Sequence, residues 1–223
     1  MPASPVRTCR SGRFLPPGQE TGIDLGLESF ATLANGEPIA NPRSGRVAQR
    51  HLRRAQRRVS RRVKGSCRRR TAVRLLARAP QRVRRARADF QHQTALCLVR
   101  RYDTIAHQDL QTAHLLRNHP LAKSISDAGW GAFLGIRSCT AAAAGKTVVA
   151  VPPAPAYTSQ ACAGCGVRVS TGLSVRWHAC PDCGTSLHRD HNAARNIVRH
   201  GRHSTAAGQS PQARTWAAGP SVA

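Results

Sequence analysis

An α/β chain built around a mixed sheet is the fold class this sequence predicts, and three observations carry the prediction. Short segments with strand alternation stand near both ends of its patterned part. Long segments with helical periodicity lie between them. A segment with paired cysteines then interrupts the last third. Alternation of the two element types along one chain favours a sheet flanked by helices over a bundle or an all-β sandwich.

Thr21–Leu27 places Ile23, Leu25 and Leu27 at every second position, the period of a half-buried strand. Ser29–Ala34 reads as a second strand, and Asn35-Gly36 is a strong hairpin turn signal. Glu37–Ala40 returns as a third strand before Pro42. Between Arg43 and Arg101 there are 21 Lys and Arg and one acid, Asp89. Leu52, Ala55, Val59 and Val63 recur at helical steps there, a narrow apolar stripe on an arginine-covered helix that Gly65-Ser66 should end. A second helix is expected from Thr71, broken at Pro80 and resumed over Gln81–Val99 with Phe90, Leu96 and Val99 inward. Tyr102–Leu110 reads as a short strand and Leu121–Gly145 as a helix stopped by its glycine. Thr147–Val151 reads as a buried strand closed by Pro152, Pro153 and Pro155. Asp190–Val198 is expected to be a short helix. In domain terms, 1–19 reads as a disordered leader and 20–198 as one domain, with 43–101 a basic helical insertion and 158–188 a cysteine-bearing ribbon. Residues 199–223 read as a disordered tail.

The chain carries 35 Lys and Arg against ten Asp and Glu, a formal charge of +25 with pI near 11.7. Such a charge repels itself unless a polyanion neutralises it. All but three of the cations are arginines, whose planar fork suits phosphate. Arg50, Arg53, Arg54, Arg57, Arg58, Arg61 and Arg62 are the candidate contacts to DNA or RNA, the alternative being a solvated charged helical hairpin. No run approaches the roughly 18 apolar residues of a membrane span. The expected location is the cytoplasm, in association with the nucleoid, and no membrane partner is expected.

Cys162-x₂-Cys165 and Cys180-x₂-Cys183 stand 14 residues apart, with Gly164, Gly166 and Gly184 beside the sulfurs. Tetrahedral zinc takes four soft ligands, and two such knuckles supply them. A pair of disulfides is the alternative, disfavoured in a reducing compartment. Cys9, Cys67, Cys97 and Cys139 lack such spacing and are expected to be ordinary residues. His178 and His188 are expected at the surface or on phosphate.

With so few acids, two draw notice. Asp24 lies inside the apolar run Ile23-Asp24-Leu25, where a carboxylate needs a cation or donors unless it is exposed at a turn. Asp190 opens the last helix, where an N-cap role is the simpler reading.

The segments GIDLGL (22–27), YDTIAHQDLQT (102–112), LAKSISDAGWGAF (121–133), YTSQACAGCG (157–166) and RDHNAARNI (189–197) together resemble the TnpB family encoded by insertion sequences. These are relatives of the type V CRISPR effectors, and the match covers roughly residues 20–198 in the family's order. The resemblance implies a RuvC, RNase H-like domain with an inserted zinc ribbon, cutting DNA under RNA guidance with Mg²⁺ held by three carboxylates. Asp24 matches the first carboxylate and Asp190 the third. The second should be a Glu directly before Asp-Leu, and this chain has Gln108 there. A neutral amide brings no charge to Mg²⁺. Asp109 should face away from Asp24, and Glu20 and Glu28 lie too far along the strand to substitute. Family members also carry a guide- and target-recognition region before the first motif, so the chain resembles a nuclease half truncated at its N-terminus. The expectation is a DNA- and RNA-binding protein of a transposable element, holding zinc and impaired in cleavage. The alternative is an active Mg²⁺-dependent endonuclease; a cleavage-dead regulator and a decayed reading frame are further readings. A guide RNA and a full-length protein of the same element are possible partners.

Overall fold

The structure, a computed structural model, describes residues 18–152, 157–170, 172 and 174–206. Most of the expected leader, Pro153, Pro155 and the end of the tail lie outside them.

Three strands open the fold, β1 (Glu20–Leu25), β2 (Ser29–Leu33) and β3 (Pro38–Ala40). They form the expected meander, its turn closed by Gly36 at φ 87°. Two helices follow, α1 (Ser44–Ser60) and α2 (Cys67–Arg101), and then β4 (Thr104–Gln108). Next come α3 (Thr112–Leu115), α4 (His119–Ala128), α5 (Trp130–Ala143) and β5 (Thr147–Val151). A small ribbon of β6 (Trp177–Ala179) and β7 (Ser186–His188) leads straight into α6 (Arg189–Ala206).

The main sheet has the order β3-β2-β1-β4-β5. β1 pairs antiparallel with β2 but parallel with β4, and β4 parallel with β5, so the sheet is mixed as expected. Parallel pairing obliges the chain to cross over, and α1 and α2 make the crossover from the meander to β4.

Strand alternation divides the core into two layers. Ile23 and Ile105 face α2 and α5, where they join Phe30, Phe90, Leu98 and Phe133. Phe30 meets Phe90 and Phe133 edge to face, both at 4.9 Å between ring centroids. Ala106, Val149 and Val151 face the other way and pack on Ile197 of α6. That helix lies very close to the sheet. A Cβ on Gly22 would stand 2.1 Å from the Ala194 carbonyl oxygen, and one on Gly201 2.7 Å from the Ala106 Cβ. Gly201, expected within the tail, is instead a buried contact inside α6, which runs to Ala206 rather than stopping at Val198.

Three helical expectations are corrected. Pro80 sits inside α2, which continues through it. A proline removes one hydrogen bond and strains one turn, and here α1 packs alongside, with Ala48, Leu52, Ala79, Pro80 and Val83 lining the cleft between the two helices. Leu121–Gly145 is two helices, because Gly129 takes a left-handed conformation at φ 64° and both ends α4 and starts α5. Gln91 of α2 donates to the freed carbonyls of Ala128 and Gly129 (3.2 and 2.9 Å). Leu96 is 42% exposed, while Phe90 and Val99 are buried as expected. Cys67 and Cys139 are free and exposed, whereas Cys97 is disulfide-bonded.

Candidate metal centre and acidic site

The four cysteines of the two knuckles converge. Their sulfurs all lie within 4.8 Å of one another, with Cys162 to Cys183 and Cys165 to Cys180 each 3.6 Å apart. Four ligands about 2.3 Å from a tetrahedral zinc stand about 3.8 Å from each other, so the cluster has the dimensions of a zinc site. Cys162 and Cys180 are buried and Cys165 and Cys183 exposed. The Gly164 N–H points at Cys162 Sγ (3.3 Å), and a Cβ on Gly164 would sit 3.2 Å from Cys183 Sγ, so the knuckle needs glycine here. The Thr185 hydroxyl and amide hold Cys183 down to about 6, in favour of the thiolate that a metal takes. Among the described residues this is the group of three or more His, Cys, Asp and Glu placed to hold an ion.

Asp24 lies one step beyond the last paired residues of β1 and β4, Ile23 and His107, so the same parallel register puts Gln108 beside it. Alternation sends both to the face covered by α6. Asp190, in the first turn of α6, reaches the same place; its carboxylate oxygen would be 3.8 Å from a Cβ on Gly26. Burial and the Asp190 carboxylate push Asp24 up to about 7, against the lowering pull of Arg189. The three expected residues therefore meet at the carboxyl ends of two parallel strands, the edge where α/β sheets commonly place ligands. No third acid joins Asp24 and Asp190 among the described residues. Glu20 pairs with Arg202 and Glu28 with Arg176, so both are engaged elsewhere.

Sequence reasoning missed several residues that build this site. Asn192 and Asn196, both fully buried on α6, tie the helix to the first cysteine knuckle. Asn192 accepts the Ala163 N–H (2.8 Å) and donates to the Ala161 carbonyl (2.7 Å), while Asn196 donates to Thr158 and Ala161 (2.8 and 2.6 Å). Their spacing of four on one helix face was the available signal. His191 is 3.1 Å from the Ala34 carbonyl and packs under Gly36, docking the meander on α6. His188 accepts the Asp190 N–H at 3.3 Å. His178 is buried, not at the surface, and burial lowers its pKa. Behind Gln108, on the other face of the sheet, His107 and Arg137 are buried together at 2.9 Å. Burial first, and then the Arg137 charge, push His107 down to about 3.

Arg50, Arg53, Arg54, Arg57, Arg58 and Arg61 are exposed and Arg62 is half-buried. No ion pair among the described residues involves any of them. They form an unneutralised cationic face on α1 and just past its end.

Residues 5–119 match the family model described as Probable transposase, OrfB_IS605. The chain belongs to that family. It is the insertion-sequence family that the motifs resemble, and residues 130–197 of this OrfB_IS605 protein also match the Cas12f1-like TNB domain. A Streptomyces pristinaespiralis protein named as a candidate RNA-guided DNA endonuclease is 40% identical over 191 residues, covering 84% of this chain and 46% of that protein. The Escherichia coli K12 protein InsQ, named in the same way, is 29% identical over 213 residues, covering 88% of this chain and 52% of InsQ. A Mycobacterium tuberculosis relative with the same description is 29% identical over 206 residues. The OrfB_IS605 chain thus spans about half the length of these relatives. Among its described residues, no helix is long and apolar enough to cross a membrane.

Proposed function

We propose that this chain is a nucleic-acid-binding protein of a transposable element, with a RuvC-like domain, a structural zinc ribbon and a cleavage site impaired at Gln108. The observation that carries the reading is the meeting of Asp24, Gln108 and Asp190 on one edge of the mixed sheet. The strand order, with an antiparallel meander joined to parallel β4 and β5 and α6 packed on one face, supports a RuvC or RNase H-like fold. Names of the relatives support DNA as the partner and an RNA guide beside it.

Cys162, Cys165, Cys180 and Cys183 would hold zinc, which ties the two knuckles into one unit. Asp24 and Asp190 would hold Mg²⁺, and the donor set fits such an ion in part. Burial first, and then the neighbouring Asp190 carboxylate, leave Asp24 at about 7, and a divalent cation placed between the two would relieve both. Mg²⁺ bound there would polarise a phosphoryl oxygen and orient the attacking water. The neighbouring Gln108 offers an amide oxygen and no charge, which weakens the hold on a hard cation. Arg189 beside Asp24 competes with a metal by partly neutralising that carboxylate. The exposed arginines of α1 would track phosphates, adding affinity without sequence preference.

The second reading is an active Mg²⁺-dependent, RNA-guided endonuclease in which Gln108 is tolerated, and the intact Asp24–Asp190 pair favours it. A cleavage assay on single- and double-stranded DNA in Mg²⁺, with and without RNA, separates the two. The expected result is binding without cutting by the natural chain. Strand cleavage that disappears in Asp24→Ala would establish the second reading in place of the first.

A further inference from the structure

The ribbon presents a side chain that zinc binding does not use. Trp177 on β6 is 56% exposed, an unusual setting for the largest apolar side chain. It is also held in place. Its indole N–H donates to the Ser186 hydroxyl across the ribbon (2.6 Å). Its ring meets the edge of His188, its cross-strand partner, at 6.4 Å between centroids. An exposed aromatic ring fixed by its neighbours offers a π-face at little cost in side-chain entropy, which is what a stacking base requires.

The surroundings narrow the occupant. Arg176, adjacent in sequence, has its side chain 58% exposed, and the backbone of Arg189 bonds to its carbonyl (2.8 Å). Glu28, 3.6 Å from Arg176, offsets one of the two charges, and the remaining positive balance of Arg176 and Arg189 suits a phosphate chain better than a basic partner. Trp177 also lies close to the acidic edge: His188, which it touches, has its Nδ1 4.0 Å from the Asp190 carboxylate. Arg176 reaches Glu28 on the turn that follows β1, on the rim of the same edge. A strand stacked on Trp177 would therefore be directed along His188 toward Asp24 and Asp190.

We propose that Trp177 is a stacking platform for an unpaired base of single-stranded DNA, steering that strand toward the Asp24–Asp190 edge. DNA is the assigned strand because the function proposed above takes DNA as the partner of the acidic edge; the inference rests on that reading. It makes Trp177 a positioning residue, separate from the duplex-tracking arginines of α1.

The test uses the full zinc-loaded chain and three labelled probes: a 20-nucleotide oligo-dT, a 20-nucleotide oligo-U and a 20-base-pair duplex. Zinc content is measured for each variant. Trp177→Ala is expected to weaken oligo-dT binding by roughly 5- to 100-fold, the worth of one stacked base, and to leave the duplex within about twofold. Trp177→Phe should keep most of the affinity. A 2-aminopurine placed in the oligo-dT should be quenched by the natural protein and by Trp177→Phe, which reads stacking even if the alanine variant loses zinc. Unchanged oligo-dT binding in Trp177→Ala, equal losses on oligo-dT and duplex, or no quenching would overturn the platform. A loss confined to oligo-U would overturn the assignment to DNA. If the natural chain binds none of the probes, the nucleic-acid reading itself falls, an outcome distinct from duplex binding that survives without single-strand preference.

Discussion

The Asp127 carboxylate of α4 lies 2.7 Å from the backbone nitrogen of Gly45 and supplies the cap that α1 cannot make for itself. Arg43, at the N-cap position, is left-handed at φ 46° and gives no side-chain cap. Asp127 also accepts the Arg46 N–H (3.3 Å) and pairs with Arg87 of α2 (3.0 Å). One largely buried acid thus joins three helices. Asp127→Ala is expected to cost about 2 kcal/mol in a urea unfolding experiment, from the lost cap and the stranded guanidinium. Asp127→Asn, which keeps an acceptor, should cost less than half of that.

Charge at position 108 should govern metal affinity. Gln108→Glu restores a third carboxylate beside Asp24 and should tighten Mg²⁺ binding by about tenfold or more, measured by calorimetry. The same change without the pair, in Asp24→Asn/Gln108→Glu, should show no such gain. Two tight Mg²⁺ sites in the unchanged chain would contradict the reading of position 108.

The arginines of α1 should dominate the salt response. Each phosphate neutralised contributes about 0.9 to the slope of log affinity against log salt. Replacing Arg50, Arg54 and Arg58 with alanine is expected to flatten that slope by about 2 to 3 on duplex DNA. An unaltered slope would move the contact surface away from α1.

The close packing of α6 on the sheet constrains two glycines to different degrees. A methyl on Gly22 would overlap the Ala194 carbonyl of the helix packed against it, at 2.1 Å, so Gly22→Ala should prevent stable folding. Gly201→Ala meets a side-chain methyl at 2.7 Å rather than backbone, and should lower stability by about 1–3 kcal/mol in thermal melts.

Much of this was legible in the sequence. The meander, the TVVAV strand (147–151) and the cysteine knuckles follow from short-range rules of period, turn chemistry and ligand spacing, and the structure keeps all three. Asp24, Gln108 and Asp190 were found through motif order, and the register of β1 on β4 brings the first two side by side. What stayed hidden depends on packing between distant segments. Pro80 was read as a break because its local cost is plain, while the support from α1 is a tertiary effect. Gly129 looked like an ordinary helical residue until Gln91, 38 positions earlier, accounted for its carbonyl. Asn192 and Asn196 entered the sequence reading only as letters of the RDHNAARNI segment, yet both are fully buried and their partners lie 29 to 38 positions away.

Those two asparagines have a mechanical result. The first knuckle hangs from the shaft that carries Asp190, and the second feeds into that shaft through β7 with no intervening linker. Stripping zinc with a chelator should therefore disturb the aim of a carboxylate that is no ligand of zinc. On the proposed function, Mg²⁺ binding at the sheet edge should weaken when the ribbon is stripped of zinc, although the two places share no ligand residue.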